Sequence, residues 1–363
     1  MSKVLMKGNE AIGEAAIRAG CLNYFAYPIT PQSEVAEYLS HRMPEVNGVF
    51  LQGESEVAVG YMIFGAAACG ARVMTTSSSP GISLMSEAIS YIASAQCPAV
   101  FVNIMRGGPG LGGILPSQGD YFQATKGGGH GDYRLLVFAP ASVQEAVEMV
   151  MMAFPLAEKY RNPVMILGDG LIGQMMEPVT FPDHLKTEPV NTDSWATSGM
   201  DTRHSKTRNL VKSLYLDPVQ LNAHNLKLKA KYDRMKKEDI RFESYNIESD
   251  YRVLIVSYGT MSRVCRTAID NLKAEGFEVA MIRPQTLFPF PELAVRQAAS
   301  KESCQIVVSI EMNMGQMLED VERCVQGRKP VEWYGKCGGE VPTPEEIMEV
   351  VQSFATSTRK EQN

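Results

Sequence analysis

The sequence has no clustered cysteine. Its seven cysteines (Cys21, Cys69, Cys97, Cys265, Cys304, Cys324 and Cys337) are scattered, and no two lie within four residues of each other. That spacing excludes a local zinc or iron–sulfur motif, so any metal used in redox work would have to come from another chain. A long apolar run is also lacking. The longest uncharged stretch, Ala88 to Met105, contains Gln96, Pro98 and Asn103, whereas a membrane-spanning helix needs about 20 apolar residues. The first ten residues, MSKVLMKGNE, carry charges where a secretory leader needs an apolar centre. Scattered thiols behind such a start read as buried cysteines in a reducing cytoplasm. Charge of one sign is scarce too. The 35 basic and 41 acidic residues leave a net charge of −6, which argues against a nucleic-acid or membrane-surface role.

What is present is ordinary for a globular chain: 363 residues, 45% hydrophobic and 21% charged, a length that suits two domains. The first half alternates helical and extended patterns. Helices are expected at Asn9–Ala19, Gln32–Met43, Glu54–Cys69, Ile82–Gln96 and Val143–Lys159, the last capped by Ser142. Between them lie short apolar strands at Cys21–Tyr27, Gly48–Leu51, Arg72–Thr76, Ala99–Met105, Leu135–Ala139 and Pro163–Gly168. Strands that are apolar throughout, alternating with helices, imply a parallel sheet covered on both faces.

The composition shifts near Pro182. Residues 183–250 are polar, and Lys227, Lys229, Lys231, Arg234, Lys236 and Lys237 mark a basic, helix-like segment. It reads as a solvated helix bridging two domains, with phosphate or partner binding as the alternative. Alternation resumes at Tyr251, giving domains at 1–182 and 251–363. Strands are expected at Arg252–Tyr258, Phe277–Ile282 and Gln305–Ile310, and helices at Thr260–Glu275, Gly315–Val325 and Pro344–Phe354.

Ligands of parallel α/β sheets bind at the carboxyl ends of strands, so the loops there carry the chemistry. After the first strand comes Tyr27-Pro28-Ile29-Thr30-Pro31, where two prolines fix the backbone around one hydroxyl. Thr30 either presents that hydroxyl to a ligand or caps the next helix. After the following strand, Glu54-Ser55-Glu56 opens an apolar helix. Both glutamates suit a helix start, and Glu56, pressed against apolar neighbours, also suits a proton-shuttling acid. Arg106 ends another strand as a lone cation, shaped either to clasp a carboxylate or to pair with Asp120. The Gly108, Gly110, Gly113 spacing after it is no dinucleotide fingerprint, because a second glycine-rich loop follows instead of an apolar helix. His130, among glycines in that second loop, carries little weight as a base or ligand.

In order, Gly8-Asn9-Glu10-Ala11, Tyr27-Pro28-Ile29-Thr30-Pro31, Glu54-Ser55-Glu56, Ser78-Ser79-Pro80-Gly81-Ile82-Ser83-Leu84-Met85 and Arg106-Gly107-Gly108-Pro109 form a recognisable set. Arg283-Pro284-Gln285-Thr286-Leu287-Phe288-Pro289-Phe290-Pro291 and Glu311-Met312-Asn313-Met314-Gly315-Gln316 extend it through the second half. The chain resembles the alpha subunit of the 2-oxoacid:ferredoxin oxidoreductases, most closely the 2-oxoisovalerate branch.

The resemblance implies an α/β fold: a doubly wound, pyrimidine-type thiamine diphosphate domain, then a smaller transketolase C-terminal-like domain. The implied reaction is oxidative decarboxylation of a 2-oxoacid to acyl-CoA and CO2, with electrons passing to ferredoxin. Alternatives are 2-oxoglutarate or pyruvate as substrate, a lipoamide-using relative, or a non-catalytic regulatory paralogue. By motif position, Glu56 contacts N1′ of the cofactor's aminopyrimidine and moves the proton that activates it. Thr30 and Arg106 fall where the family binds the 2-oxoacid, and Pro28, Ile29 and Ser79 line the cofactor cleft. The resemblance further implies a beta subunit holding the diphosphate and Mg2+. Gamma and ferredoxin-like delta subunits, with iron–sulfur clusters on partner chains, complete the implied assembly.

Overall fold

The computed structural model describes residues 3–182, 190–199 and 208–361; parts of the polar excursion, at 183–189 and 200–207, lie outside the described residues. The chain opens with β1 (Val4–Lys7), α1 (Gly8–Arg18), β2 (Asn23–Ala26), α2 (Ser33–Glu45) and β3 (Val49–Gln52). There follow α3 (Glu56–Ala68), β4 (Val73–Ser77), α4 (Ser79–Ser94) and β5 (Ala99–Met105). A glycine-rich loop and one π-helical turn lead to β6 (Leu136–Phe138), α5 (Val143–Tyr160), β7 (Pro163–Asp169), α6 (Gly170–Gln174) and β8 (Met176–Val179). Next come α7 (Pro218–Glu238), β9 (Phe242–Tyr245), β10 (Val253–Val256), α8 (Gly259–Ala274), β11 (Val279–Pro284) and β12 (Thr286–Phe288). The chain closes with α9 (Glu292–Ala299), β13 (Ile306–Glu311), α10 (Leu318–Val325), β14 (Val331–Gly335) and α11 (Pro344–Glu361).

A seven-stranded sheet in the order β12-β6-β7-β5-β4-β2-β3 dominates the first half, and all its pairings except β12–β6 are parallel. Every residue of β5 and β7 is buried, as strands covered on both faces require. On one face α1, α2 and α5 pack; on the other, α3 and α4 share a core with the second half, running through Tyr121 to Tyr251, Leu254 and Ile282. Ser142 caps α5 by accepting the Glu145 N–H at 3.1 Å.

The second sheet has the order β14-β13-β10-β11-β9, parallel except for β9. Helices α8 and α11 cover its outer face. Segment 208–250, expected as part of a polar linker, contains α7 and β9. The basic helix buries Leu228, Tyr232 and Met235, spaced at i, i+4 and i+7, in the core beneath α5. Each such side chain contributes about 1.5–3 kcal/mol, enough to fasten a helix whose other faces are charged. Strand β12 leaves the second half and adds antiparallel to β6, so one half lends the other its edge strand.

Several boundaries differ from those expected. Helix α3 starts at Glu56, because Ser55 is extended (φ −161°, ψ 161°) and its side chain accepts the Ala58 N–H. Helix α4 starts at Ser79, since Pro80 is tolerated in a first turn, where its missing N–H has no intrahelical partner to lose. Helix α11 runs on to Glu361. Five cysteines are buried as expected, but Cys69 and Cys337 are exposed. Burial pushes the thiols of Cys21 and Cys97 up to about 12, where they are inert. No helix among the described residues is long and apolar enough to cross a membrane.

Candidate active site

The turn after β2 is pinned from α1. Asn9 Nδ2 donates to the Pro31 carbonyl and to Glu34 Oε2, both at 2.8 Å, and Gln174 donates to the same two residues at 3.1 and 2.9 Å. This explains the Gly8-Asn9 pair. A Cβ on Gly8 would stand 1.7 Å from the Ile172 carbonyl oxygen, so only glycine lets α1 start here and present Asn9. Burial alone would raise the Glu34 pKa, but the hydrogen bonds from Gln174 and Asn9 and the charge of Lys7 leave it lowered. Within the turn Pro28 and Thr30 are exposed and Ile29 half-buried. Thr30 does not cap α2: the residue before that helix is Gln32, and it makes no side-chain cap.

Glu56 and Glu54 separate cleanly. Glu54 is exposed and precedes the helix, whereas Glu56 opens α3 and is only 7% exposed. The Glu56 carboxylate lies over Gly81 in the first turn of α4. A Cβ on Gly81 would fall 2.9 Å from Glu56 Oε1 and 2.1 Å from Ser77 Oγ. Glycine at this place leaves the room that the carboxylate occupies. Around the carboxyl ends of β2 and β4, Tyr24, Thr76 and Gln32 form a buried hydrogen-bonded chain. Gln32 Nε2, Ser77 Oγ and Ser78 Oγ are buried with no hydrogen-bond partner among the described residues. Each such orphan costs about 1–3 kcal/mol, a cost that a ligand with polar edges would relieve. A buried carboxylate at Gly81, with the orphaned hydroxyls of Ser77 and Ser78 in the segment leading into that turn, fits the aminopyrimidine of thiamine diphosphate.

Arg106, at the end of β5, is 8% exposed. Its Nη1 donates to the Thr30 carbonyl at 3.0 Å and its Nη2 to the Leu111 carbonyl at 3.3 Å; Nε is buried with no partner among the described residues. The structure thus joins Thr30 and Arg106, and places Glu56 and Ser79 on two sides of the same helical turn. Asp120 does not pair with Arg106. It accepts from Ser79 Oγ at 2.6 Å and Asn103 Nδ2 at 2.9 Å, while Ser79 Oγ accepts the Arg106 N–H at 3.1 Å. Burial pushes the Asp120 pKa up against those two hydrogen bonds. The loop after Arg106 folds back on itself, with Gly107 N donating to the Leu115 carbonyl; at Gly112 a Cβ would meet the Gly107 carbonyl oxygen at 1.9 Å.

The second half grips the loop that carries Asp120. Gln118 bonds the main chain of Met312 and Tyr258, and Asn313 Nδ2 donates to the Gln118 carbonyl at 2.8 Å. Gln316 Nε2 donates to the Gly119 carbonyl at 2.7 Å. Glu311 sits behind this loop, accepting from Ser309 and from the N–H groups of Met317 and Leu318; burial pushes its pKa up. Between the halves lies a cleft of about 710 Å3, lined among others by Ser79, Leu84, Asp120, Met312 and Met314. Among the described residues no Lys, Arg or His lines it, and Thr30, Glu56 and Arg106 do not line it either. His130 is exposed, its ring edge-on to Tyr91.

Reading the sequence alone missed the pinning role of Asn9, although the Gly-Asn pair marked it, and the partners of Asp120. The sequence offers Asp120 only as an alternative ion-pair partner for Arg106, and nothing in it marks Ser79 and Asn103 instead.

Residues 14–243 match the family described as pyruvate flavodoxin/ferredoxin oxidoreductase, thiamine diphosphate-binding, and residues 252–347 match pyruvate:ferredoxin oxidoreductase core domain II. The chain is 46% identical, over 98% of its length and 99% of the relative's, to the ketoisovalerate oxidoreductase subunit VorB of Methanothermobacter thermautotrophicus. It is 36% identical to the 2-oxoglutarate synthase subunit KorA of the same organism, over 95% of this chain and 97% of that one. Among solved structures it is similar to a 2-oxoglutarate:ferredoxin oxidoreductase from Magnetococcus marinus (TM-score 0.88, 28% identity); the match covers 98% of this chain and 65% of that one. A split-gene transketolase shares the fold at 15% identity and TM-score 0.58, over 97% of this chain and 98% of that one. Fold and site together define an α/β protein of the thiamine diphosphate-binding class. The chain belongs to the 2-oxoacid:ferredoxin oxidoreductase family, as a subunit of the alpha type.

Proposed function

We propose that this chain is the alpha subunit of an enzyme that oxidatively decarboxylates a branched-chain 2-oxoacid, 2-oxoisovalerate, to acyl-CoA and CO2 with electrons going to ferredoxin. Arg106 carries the reading. A guanidinium this buried, hydrogen-bonded only to neutral carbonyls and forming no ion pair among the described residues, retains a positive charge that a substrate carboxylate would neutralise. Thr30, held beside it, would offer its hydroxyl to the 2-oxo group. The bound cofactor supplies the carbon nucleophile and the electron sink for decarboxylation. Glu56 would hold and return the proton at N1′ of its aminopyrimidine. Pro28 and Ile29 would border the ring, and Ser79 would shape the cleft wall, its hydroxyl being committed to Asp120.

The higher identity to a ketoisovalerate oxidoreductase subunit than to a 2-oxoglutarate synthase subunit favours the branched-chain substrate. Met314 (81% exposed) lines the cleft, and Leu111 (85%), Ile114 and Leu115 are exposed in the loop after Arg106, an apolar surface suited to a covering chain. That chain is assigned here as a beta subunit holding the diphosphate and Mg2+. Gamma and delta subunits with iron–sulfur clusters would complete the enzyme in a reducing cytoplasm. The test is CoA-dependent reduction of ferredoxin by the assembled complex with each 2-oxoacid. A kcat/KM at least tenfold higher for 2-oxoisovalerate than for 2-oxoglutarate is expected, by about the 1–3 kcal/mol that a fitted apolar pocket provides. A preference for 2-oxoglutarate would contradict the substrate assignment.

A further inference from the structure

Four of the five residues from Gln118 to Phe122 are tied to the second half of the chain. Gln118 is gripped by Met312 and Asn313, Gly119 by Gln316, the Tyr121 hydroxyl by Asp320 at 2.6 Å, and the Phe122 N–H by Gln316 Oε1 at 2.8 Å. The fifth, Asp120, is bound instead into the first half, on Ser79 and Asn103. A serine hydroxyl has one proton to give, and the 2.6 Å contact to a carboxylate takes it in preference to the 3.3 Å contact to the Arg106 carbonyl. That choice turns a lone pair of Ser79 Oγ toward the Arg106 N–H, 3.1 Å away. Asn103 closes the ring: its Oδ1 accepts the Ser79 N–H at 3.0 Å while its Nδ2 donates to Asp120. The main chain of Arg106 is thereby located by a carboxylate whose own loop is held by the other half of the protein.

We propose that Asp120 is a positioning residue for Arg106, and that the Asn313–Gln316 grip on its loop lets the second half of the chain set the site's affinity for the 2-oxoacid. The proposal rests on the function assigned above. Arg106 can clasp a carboxylate only if its Cα stays fixed relative to Thr30, and Asp120, through Ser79, is what fixes it from the cleft side. The Glu311-Met312-Asn313-Met314-Gly315-Gln316 segment, which among the described residues makes no hydrogen bond to Glu56 or Arg106, then acts on the substrate through this chain of contacts.

The experiment is steady-state kinetics of the assembled complex carrying Asp120→Ala, Asp120→Asn, Gln316→Ala or the Asp120→Ala/Gln316→Ala pair. Asp120→Ala is expected to raise KM for the 2-oxoacid by about tenfold, the scale of one charge-assisted hydrogen bond, with kcat within about threefold and KM for CoA unchanged. Asp120→Asn keeps an acceptor oxygen in place and restores most of the affinity. Gln316→Ala shifts the same KM, and the double variant is no worse than Asp120→Ala alone, because both act through one contact chain. An unchanged KM in Asp120→Ala, an equal loss with every substrate, or full additivity in the double variant would overturn the proposal. Should Asp120→Ala not assemble, Gln316→Ala and Asp120→Asn decide it by the same KM. If the unaltered complex oxidises no 2-oxoacid, the functional reading fails and this proposal with it; an active complex with insensitive variants refutes the positioning role alone.

Discussion

Arg106 Nη1 donates to the carbonyl oxygen of Thr30 at 3.0 Å, joining a strand-end cation to a proline-framed turn 76 residues away in sequence. The bond orients the guanidinium without neutralising it. It also holds the Thr30 main chain beside the charge, the arrangement on which the proposed binding of one 2-oxoacid by hydroxyl and guanidinium rests.

Arg106→Lys is expected to raise KM for the 2-oxoacid while leaving thiamine diphosphate binding intact. An ammonium keeps the charge but cannot hold both carbonyls and present a planar fork, a loss of about 1–3 kcal/mol, or roughly 5- to 150-fold. Unchanged KM values across several 2-oxoacids would return Arg106 to a purely structural role.

Asn9→Ala removes two 2.8 Å hydrogen bonds, to Pro31 and Glu34, that hold the turn carrying Thr30. Stability should fall by about 1–3 kcal/mol in denaturant titration, since the Pro31 carbonyl loses a buried donor. KM for the 2-oxoacid should rise alongside. A variant with normal stability and normal KM would show that Gln174 alone pins the turn.

Glu145 and Arg283 lock the two halves together, with both carboxylate oxygens bonded to both terminal nitrogens at 2.7 and 2.8 Å. Burial would raise the Glu145 pKa, but Arg283, the Ala141 N–H and Gln285 outweigh it and leave the pKa lowered. The folded state therefore binds this proton less readily than the unfolded chain does. The resulting stability is present above the unfolded pKa of about 4.3 and is lost as pH falls through the lower folded value. Glu145→Gln should cost about 1–3 kcal/mol at neutral pH by removing the two-pronged ion pair, Arg283 keeping only its 3.0 Å contact with Glu243. The gap to the unaltered protein should narrow as the pH is taken below that range; a gap that stays constant down to pH 3 would contradict the linkage.

Much of this could be read from residues alone because the main sheet is parallel. Continuous apolar strands such as Ala99–Met105 declare themselves, and the loops after them hold the chemistry. Thr30, Glu56 and Arg106 are visible as polar residues at strand or helix ends. What escaped depends on pairings distant in sequence. Strand β1 finds β8 some 170 residues on, with only four residues on each side to mark it. Strand β12, three residues between prolines, crosses to the other sheet because Ala139 N and the Gln285 carbonyl meet there. Asp120 shows its part only once Ser79 and Gln316 are seen on either side of its loop.

The isolated chain should be colourless and bind thiamine diphosphate weakly. Its cysteines are scattered, and among the described residues no three His, Cys, Asp or Glu side chains stand together as metal ligands. Calorimetry on the chain alone and on the complex compares the two affinities; equal affinities would contradict a site shared with a partner.

The central claim is that Glu56 moves the proton that activates the cofactor. Glu54 serves as the internal control, being two residues away, exposed and outside the helix. The direct measurement is hydrogen–deuterium exchange at C2 of thiamine in the assembled complex, for Glu56→Gln and Glu54→Gln side by side. Glutamine keeps the shape of the side chain but cannot pass a proton, so Glu56→Gln should slow exchange by about 10²–10⁴ while assembly survives. Glu54→Gln should leave the rate unchanged. Exchange abolished by Glu54→Gln and spared by Glu56→Gln, or spared by both, would contradict the account.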